Sequence, residues 1–144
     1  MNNKKKVSCL SCGATNNFPL AADKKVVCGR CRAPLPRPGE VVEISPNQLA
    51  TLLFQAKLPL LVDFYSPNCA PCAMMHPVVD NLAQRRAGEL MVLRLNVDSY
   101  PEVAGQFQIQ GVPTFIVFRG GHEVGRAAGA MSEADFSLWV ASRA

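Results

Sequence analysis

The chain carries six cysteines in three C-x-x-C pairs, Cys9/Cys12, Cys28/Cys31 and Cys69/Cys72. Two cysteines at that spacing can hold a metal, close a disulfide or pass electrons. Fifteen residues separate the first pair from the second. Four thiolates from two tight knuckles can converge on a tetrahedral Zn²⁺. Gly13, just after the first knuckle, and Gly29, inside the second, allow tight backbone turns. Lys24, Lys25, Arg30 and Arg32 partly offset the charge of a four-thiolate site. We therefore expect one structural zinc held by Cys9, Cys12, Cys28 and Cys31. A four-thiolate iron site, disulfides and free thiols are the alternatives. With so little apolar content, this segment should depend on its metal to fold.

Cys69-Ala70-Pro71-Cys72 has no second pair to complete a metal site. It follows an apolar run and opens a helical pattern. A helix N-terminus stabilises the thiolate of its first cysteine, which makes Cys69 the expected nucleophile. Cys72 lies one turn further in, within reach to close a disulfide, and Pro71 stiffens the first turn. Such a dithiol attacks a disulfide through Cys69 and releases the mixed disulfide through Cys72. Asp63 stands alone in the apolar run Leu60-Leu61-Val62-Asp63-Phe64-Tyr65. Burial should raise its pKa, as suits a proton acceptor for Cys72. The plainer reading of Asp63 is an acid at a strand end in contact with water. His76, four residues past Cys72, could adjust the cysteine pKa values, but a surface or half-buried side chain is the simpler expectation. Met74 and Met75 should pack, since no His or Cys array accompanies them as a copper site would need.

The elements that hold these groups follow from periodicity. Residues 1–33 contain four cysteines and little periodic apolar pattern, and read as a zinc-binding module. Residues 34–42 begin with prolines at alternate positions and read as an extended lead-in. Residues 43–144 form the larger domain. Val41–Ile44 is a short strand. Ser45-Pro46 caps a helix with Leu49, Leu52, Leu53 and Ala56 at helical spacing. Leu60–Tyr65 suits a buried central strand, and a helix from Cys69 to Ala87, bent at Pro77, follows. A second buried strand spans Leu90–Val97, and a short helix spans Pro101–Phe107. Pro113–Phe118 and Glu123–Ala128 make a hairpin through Arg119-Gly120-Gly121-His122. Ser132-Glu133-Ala134-Asp135 starts a last helix carrying Phe136, Trp139 and Val140. Strands joined through helices imply an α/β fold, with parallel pairing and an antiparallel edge.

Charge is uneven along the 144 residues. Residues 1–40 hold eight basic and two acidic side chains, and residues 41–144 seven basic and nine acidic. A basic head can meet acidic partners, but only Phe18 interleaves with the charges, which argues against base stacking and a nucleic-acid role. No apolar segment follows Lys4-Lys5-Lys6, and no run suits a membrane span. A cytoplasmic protein is the expectation. There thiols stay reduced, and paired cysteines serve metals or redox chemistry.

Val62-Asp63-Phe64, Cys69-x-Pro71-Cys72, Pro77, Asn96-Val97-Asp98, Gly111-Val112-Pro113-Thr114 and Gly129 together resemble the thioredoxin family. The ordered set runs over about residues 43–144. The added N-terminal cysteines resemble those of the zinc-binding thioredoxin-2 subgroup of bacteria. The resemblance implies a thioredoxin fold, a central mixed sheet flanked by helices, with a zinc-ribbon-like module in front. It implies a protein-disulfide reductase, monomeric, acting on disulfide-containing proteins and re-reduced by a thioredoxin reductase. It also implies a cis Pro113 facing the dithiol, Val112 offering backbone groups to an extended substrate, and Gly129 lining the same groove. The chain departs from the family's pattern at Tyr65 and Asn68, where tryptophan is usual, and at Ala70, where glycine is usual. It departs again at Ala73, where a lysine usually follows the second cysteine, and at Arg94 in place of the lysine near the buried acid. Two other functions compete. One is a zinc-dependent interaction or holdase module that uses the fold as a platform. The other is a disulfide oxidant or isomerase, which needs an oxidising compartment.

Overall fold

Leu60–Tyr65 lies at the middle of the molecule because both of its faces are apolar. In the computed structural model, which describes residues 3–22 and 25–144, five of its six residues are buried. Lys24 lies outside the described residues. The chain runs β1 (Lys4–Ser8), β2 (Thr15–Pro19), β3 (Val41–Glu43), α1 (Pro46–Gln55), β4 (Leu60–Tyr65), α2 (Ala70–Arg85), β5 (Met91–Asn96), α3 (Pro101–Gln106), β6 (Thr114–Arg119), β7 (His122–Ala128) and α4 (Glu133–Arg143). One sheet has the order β3-β5-β4-β6-β7. β3 and β4 pair parallel with β5, and the β6–β7 hairpin is antiparallel to β4. This is the mixed sheet that the alternation of strand and helix patterns implies.

Alternate strand residues serve opposite faces. Leu60, Val62 and Phe64 join Leu49 and Leu52 of α1 and Val103 of α3 in one cluster. Leu61 joins Met75, Val79 and Leu82 of α2 and Phe136 and Val140 of α4 in the other. Asp63 and Tyr65, in phase with Leu61, therefore belong to the α2 side of the sheet. Helix starts are local. Ser45 accepts from the Gln48 N–H while the Gln48 side chain accepts from the Ser45 N–H, a reciprocal cap that fixes where α1 begins. Gly120 and Gly121 supply the two positive φ angles, +59° and +82°, of the β6–β7 turn.

The N-terminal residues hold a hairpin that periodicity did not reveal. β1 and β2 pair antiparallel, from Lys4 opposite Pro19 to Ser8 opposite Thr15. Val7 and Phe18 are buried in the same cluster as Ile44, Leu49 and Leu52, and Leu10, Leu20, Val26 and Leu35 pack against it. The module is thus seated on the α1 side of the larger domain. Gly13 lies so close to Gln55 of α1 that a side chain there would strike the Gln55 Cβ. Among the described residues no helix is long and apolar enough to cross a membrane.

Candidate functional site: a dithiol and a four-cysteine cluster

β4 ends at Tyr65 and delivers the chain into the loop that starts α2. Ser66 donates from its hydroxyl to Asp98 Oδ2 at 2.6 Å, and Asn96 Oδ1 accepts the N–H groups of Asp98 and Ser99. Two loops at the strand ends are thereby tied together. Cys69 is the N-cap of α2, and its sulfur lies 3.2 Å from the Cys72 backbone nitrogen. That N–H and the helix dipole favour negative charge on the Cys69 sulfur. Cys69 is half-buried, whereas Cys72 is only 1% exposed. The two are joined as a disulfide.

The Gly111–Thr114 loop faces this pair. The Val112 carbonyl oxygen lies 3.6 Å from the Cys69 sulfur, and the Val112–Pro113 bond is cis. The Gly129 N–H donates to the Pro113 carbonyl at 2.9 Å. Gly129 has φ of +87° and open space where a Cβ would stand, so backbone conformation explains the glycine there. Cys69, Cys72, Val112, Pro113 and Gly129, scattered over sixty residues, thus come together at one end of the sheet.

Asp63 is buried, not solvated at a strand end. Register sets Glu43 beside Arg94 and Arg94 beside Asp63, a row of three charged side chains across β3, β5 and β4 on the α2 face. Arg94 Nε lies 3.4 Å from Asp63 Oδ2, and Arg94 Nη2 lies 3.5 Å from Asp80 on α2. Asp63 Oδ1 has no hydrogen-bond partner. Burial pushes the Asp63 carboxyl up to about 6, against the pull of Arg94. Tyr65 donates its hydroxyl to Glu43 Oε1 at 2.6 Å, and burial, with Glu43, pushes the phenol up to about 12. His76 sets its ring edge-on to Tyr65, with centroids 5.6 Å apart. Burial first, then Arg94, lowers the His76 pKa from its usual 6.5. Met75 packs as expected, whereas Met74 is 66% exposed.

The four remaining cysteines converge. Cys9, Cys12, Cys28 and Cys31 place their sulfurs within 4.8 Å of one another. The Cys9–Cys31 and Cys12–Cys28 separations are 3.6 and 3.7 Å. A tetrahedron of sulfurs bonded to zinc at about 2.3 Å has edges of about 3.8 Å. The cluster therefore fits such an ion, and these residues can hold a metal. The two knuckles are alike. The Cys9 carbonyl oxygen accepts from the Gly13 N–H and the Cys28 carbonyl oxygen from the Arg32 N–H, at 2.9 and 3.0 Å. In the second knuckle the left-handed residue is Arg32, at φ +69°, and not Gly29. Gly29 instead donates its N–H to Asn16 Oδ1 at 3.0 Å. Asn16 also donates to the Cys28 sulfur at 3.4 Å, as the Arg30 N–H does at 3.3 Å. Together with a backbone hydrogen bond from Cys31, the largest influence, these hold the Cys28 thiol down at about 6 despite burial. Asn16 escaped the sequence reading. Its partners are set by the β1–β2 hairpin, and nothing in its spacing announces them.

The thioredoxin family model matches residues 40–142. The chain belongs to the thioredoxin family. It is 40% identical over 95 residues to thioredoxin 1 of Nostoc sp., covering 66% of this chain and 89% of that one. It is 42% identical over 89 residues to a thioredoxin of Synechocystis sp., covering 62% and 83%. Against a thioredoxin of Mycobacterium tuberculosis the identity is 39% over 93 residues, covering 65% and 80%. The fold is accordingly a thioredoxin fold, with a two-stranded, zinc-ribbon-like module in front, and the chain is a thiol-disulfide oxidoreductase.

In this chain the buried acid carries a measurable cost. Its pKa of about 6 in the fold lies above the ordinary 3.8. A carboxyl that folds with a raised pKa weakens the native state once the unfolded group ionises. That cost is absent below pH 3.8, grows between the two values and is complete above about 6. Asp63→Asn should therefore stabilise the protein by up to about 3 kcal/mol at pH 7 or above and by almost nothing near pH 3. Arg94 keeps Asp80 as a partner in the variant. Urea unfolding of both proteins across that range measures the difference, and a gain independent of pH would contradict the assignment.

Proposed function

We propose that this thioredoxin reduces disulfides in protein substrates through Cys69 and Cys72. The observation that carries the proposal is their asymmetry: a half-exposed sulfur at a helix N-cap beside a backbone N–H, and a buried one a turn behind it. Cys69 thiolate attacks one sulfur of the substrate disulfide, and the other sulfur leaves as a thiolate. Cys72 loses its proton to Asp63 and attacks the Cys69 sulfur. A Cys69–Cys72 disulfide forms, and the second substrate sulfur leaves. Two electrons have passed to the substrate, and a thioredoxin reductase returns them. The Val112 carbonyl and N–H, Pro113 and Gly129 hold the substrate chain against the dithiol. Their placement around Cys69 supports that reading. Cys9, Cys12, Cys28 and Cys31 hold one structural Zn²⁺ whose role is to fix the hairpin. We place the protein in the cytoplasm as a monomer, where reduced thiols suit both sites.

A glutathione redox titration of the zinc-loaded protein, with alkylation and mass mapping at each poise, tests this. Cycling of Cys69 and Cys72 alone, near the roughly −270 mV of a thioredoxin, is the expected result. A much higher potential would make it an oxidant or isomerase. If Cys69 and Cys72 never pair, the binding-platform reading replaces ours.

A further inference from the structure

The two cysteine knuckles repeat one backbone pattern. In the first, the Cys9 N–H donates to the Ala14 carbonyl at 2.9 Å, and the Ser11 N–H donates to the Cys9 sulfur at 3.3 Å. In the second, the Cys28 N–H donates to the Ala33 carbonyl at 2.8 Å, and the Arg30 N–H donates to the Cys28 sulfur at 3.3 Å. The likeness breaks seven residues past each leading cysteine. In the second half Leu35 stands there and packs against the apolar cluster. In the first half Asn16 stands there. It lies on the face of β2 that Phe18, two residues on, buries in that same cluster. A polar side chain at a position whose counterpart is apolar needs partners of its own.

Asn16 finds them in the other knuckle. Its Oδ1 accepts from the Gly29 N–H at 3.0 Å. Its Nδ2 donates to the Cys28 sulfur at 3.4 Å and to the Ala14 carbonyl at 3.1 Å. Both ends of one planar amide are thus engaged. The backbone bonds described above each close within a single knuckle, whereas Asn16 joins the two. Its own place is fixed by the β1–β2 ladder, where it stands opposite the buried Val7. The Cys28 sulfur so receives one N–H from the backbone and another from a side chain. Four thiolates gathered around one cation leave excess negative charge on sulfur. An N–H aimed at a sulfur stabilises that charge and fixes the direction of the ligand.

We propose that Asn16 clasps the second knuckle to the hairpin and aims the Cys28 sulfur at the metal, so that retention of zinc depends on it. The proposal rests on the reading given above, that Cys9, Cys12, Cys28 and Cys31 hold one Zn²⁺. Asn16 is not a ligand. It is a positioning residue that acts through Cys28, and outer partners of this kind typically set metal affinity by about tenfold to a hundredfold. It also links the site to the rest of the molecule. The amide that holds Cys28 belongs to the strand whose Phe18 is seated on the larger domain.

The test reads the metal directly. The full chain, kept reduced and loaded with zinc, is dialysed against chelators of graded zinc affinity, and the metal it retains is measured. Asn16→Ala should weaken zinc binding about tenfold to a hundredfold. Asn16→Asp keeps the shape of the side chain and the acceptor for Gly29 but loses the N–H aimed at sulfur. It should also weaken binding by about tenfold or more, and it decides the matter should the alanine variant not fold. Cobalt(II) in place of zinc then reports on the sulfurs. A thiolate that loses a hydrogen-bond donor gives up electron density more readily, so the sulfur-to-cobalt absorption should move to longer wavelength in both variants. Unchanged zinc affinity in either variant overturns the proposal. Weakened affinity with an unmoved cobalt absorption also overturns it, because Asn16 would then only brace the hairpin. If the unsubstituted chain retains no zinc, the four-cysteine reading fails first, and the Asn16 proposal falls with it.

Discussion

Replacing Cys69 with serine should lower protein-disulfide reduction by on the order of a thousandfold or more, because a hydroxyl is not ionised at neutral pH and does not attack sulfur. The fold should survive. Cys69 is a half-buried N-cap, and serine is a preferred residue at that position. Cys72→Ser should fail differently. Cys69 still attacks, but nothing releases the product, so the variant accumulates as a mixed disulfide with its substrate. Turnover with a disulfide-bonded protein, combined with intact mass, separates the two cases. Equal residual activity in both variants, without a trapped adduct in Cys72→Ser, would overturn the division of labour drawn from the N-cap geometry.

Removing metal should have the second large effect. Structural zinc in a small module contributes on the order of 10 kcal/mol to its folding, since the unfolded chain has no formed site. The N-terminal segment has little to replace that. Of β1 and β2, only Val7, Ser8 and Phe18 are buried. A chelator should therefore abolish amide protection in β1 and β2. It should also weaken the rest of the protein, because Val7 and Phe18 complete a cluster shared with α1, β4 and β5. Losing their burial should cost about 3 kcal/mol, which lowers the melting temperature by on the order of 10 °C. Amide exchange and melting curves with and without chelator measure both. Retained protection in β1 and β2 would show that the cysteines are not what holds the module.

Much of this was legible in the residues. Ser45-Pro46, Gly120-Gly121 and the unbroken apolar run at Leu60–Tyr65 are local signals, and local signals fix where elements begin and turn. Both cysteine sites were legible from spacing. What stayed hidden depends on neighbours far apart in sequence. β1 begins with three exposed lysines, so no alternation marks it as a strand, and Val7 is buried because α1 lies beneath it. Arg32 takes the left-handed conformation because its position in the knuckle demands it, whatever residue stands there. The Glu43–Arg94–Asp63 row exists through strand register alone. His76 is half-buried, one of the two placements expected of it, and only its edge-on contact with Tyr65 depends on the fold.

The seating of the N-terminal hairpin also orders events as the chain is made. Cys31 leaves the ribosome 38 residues before Cys69. The cluster on which Val7 and Phe18 rest extends to Phe118, so the hairpin has no complete surface to dock on until most of the chain has emerged. At about 5–20 residues per second, the gap between Cys31 and Cys69 is roughly 2–8 s. A metal captured in that interval would meet four thiols before the other two emerge. The spacing thus gives the four N-terminal thiols the first chance at a metal.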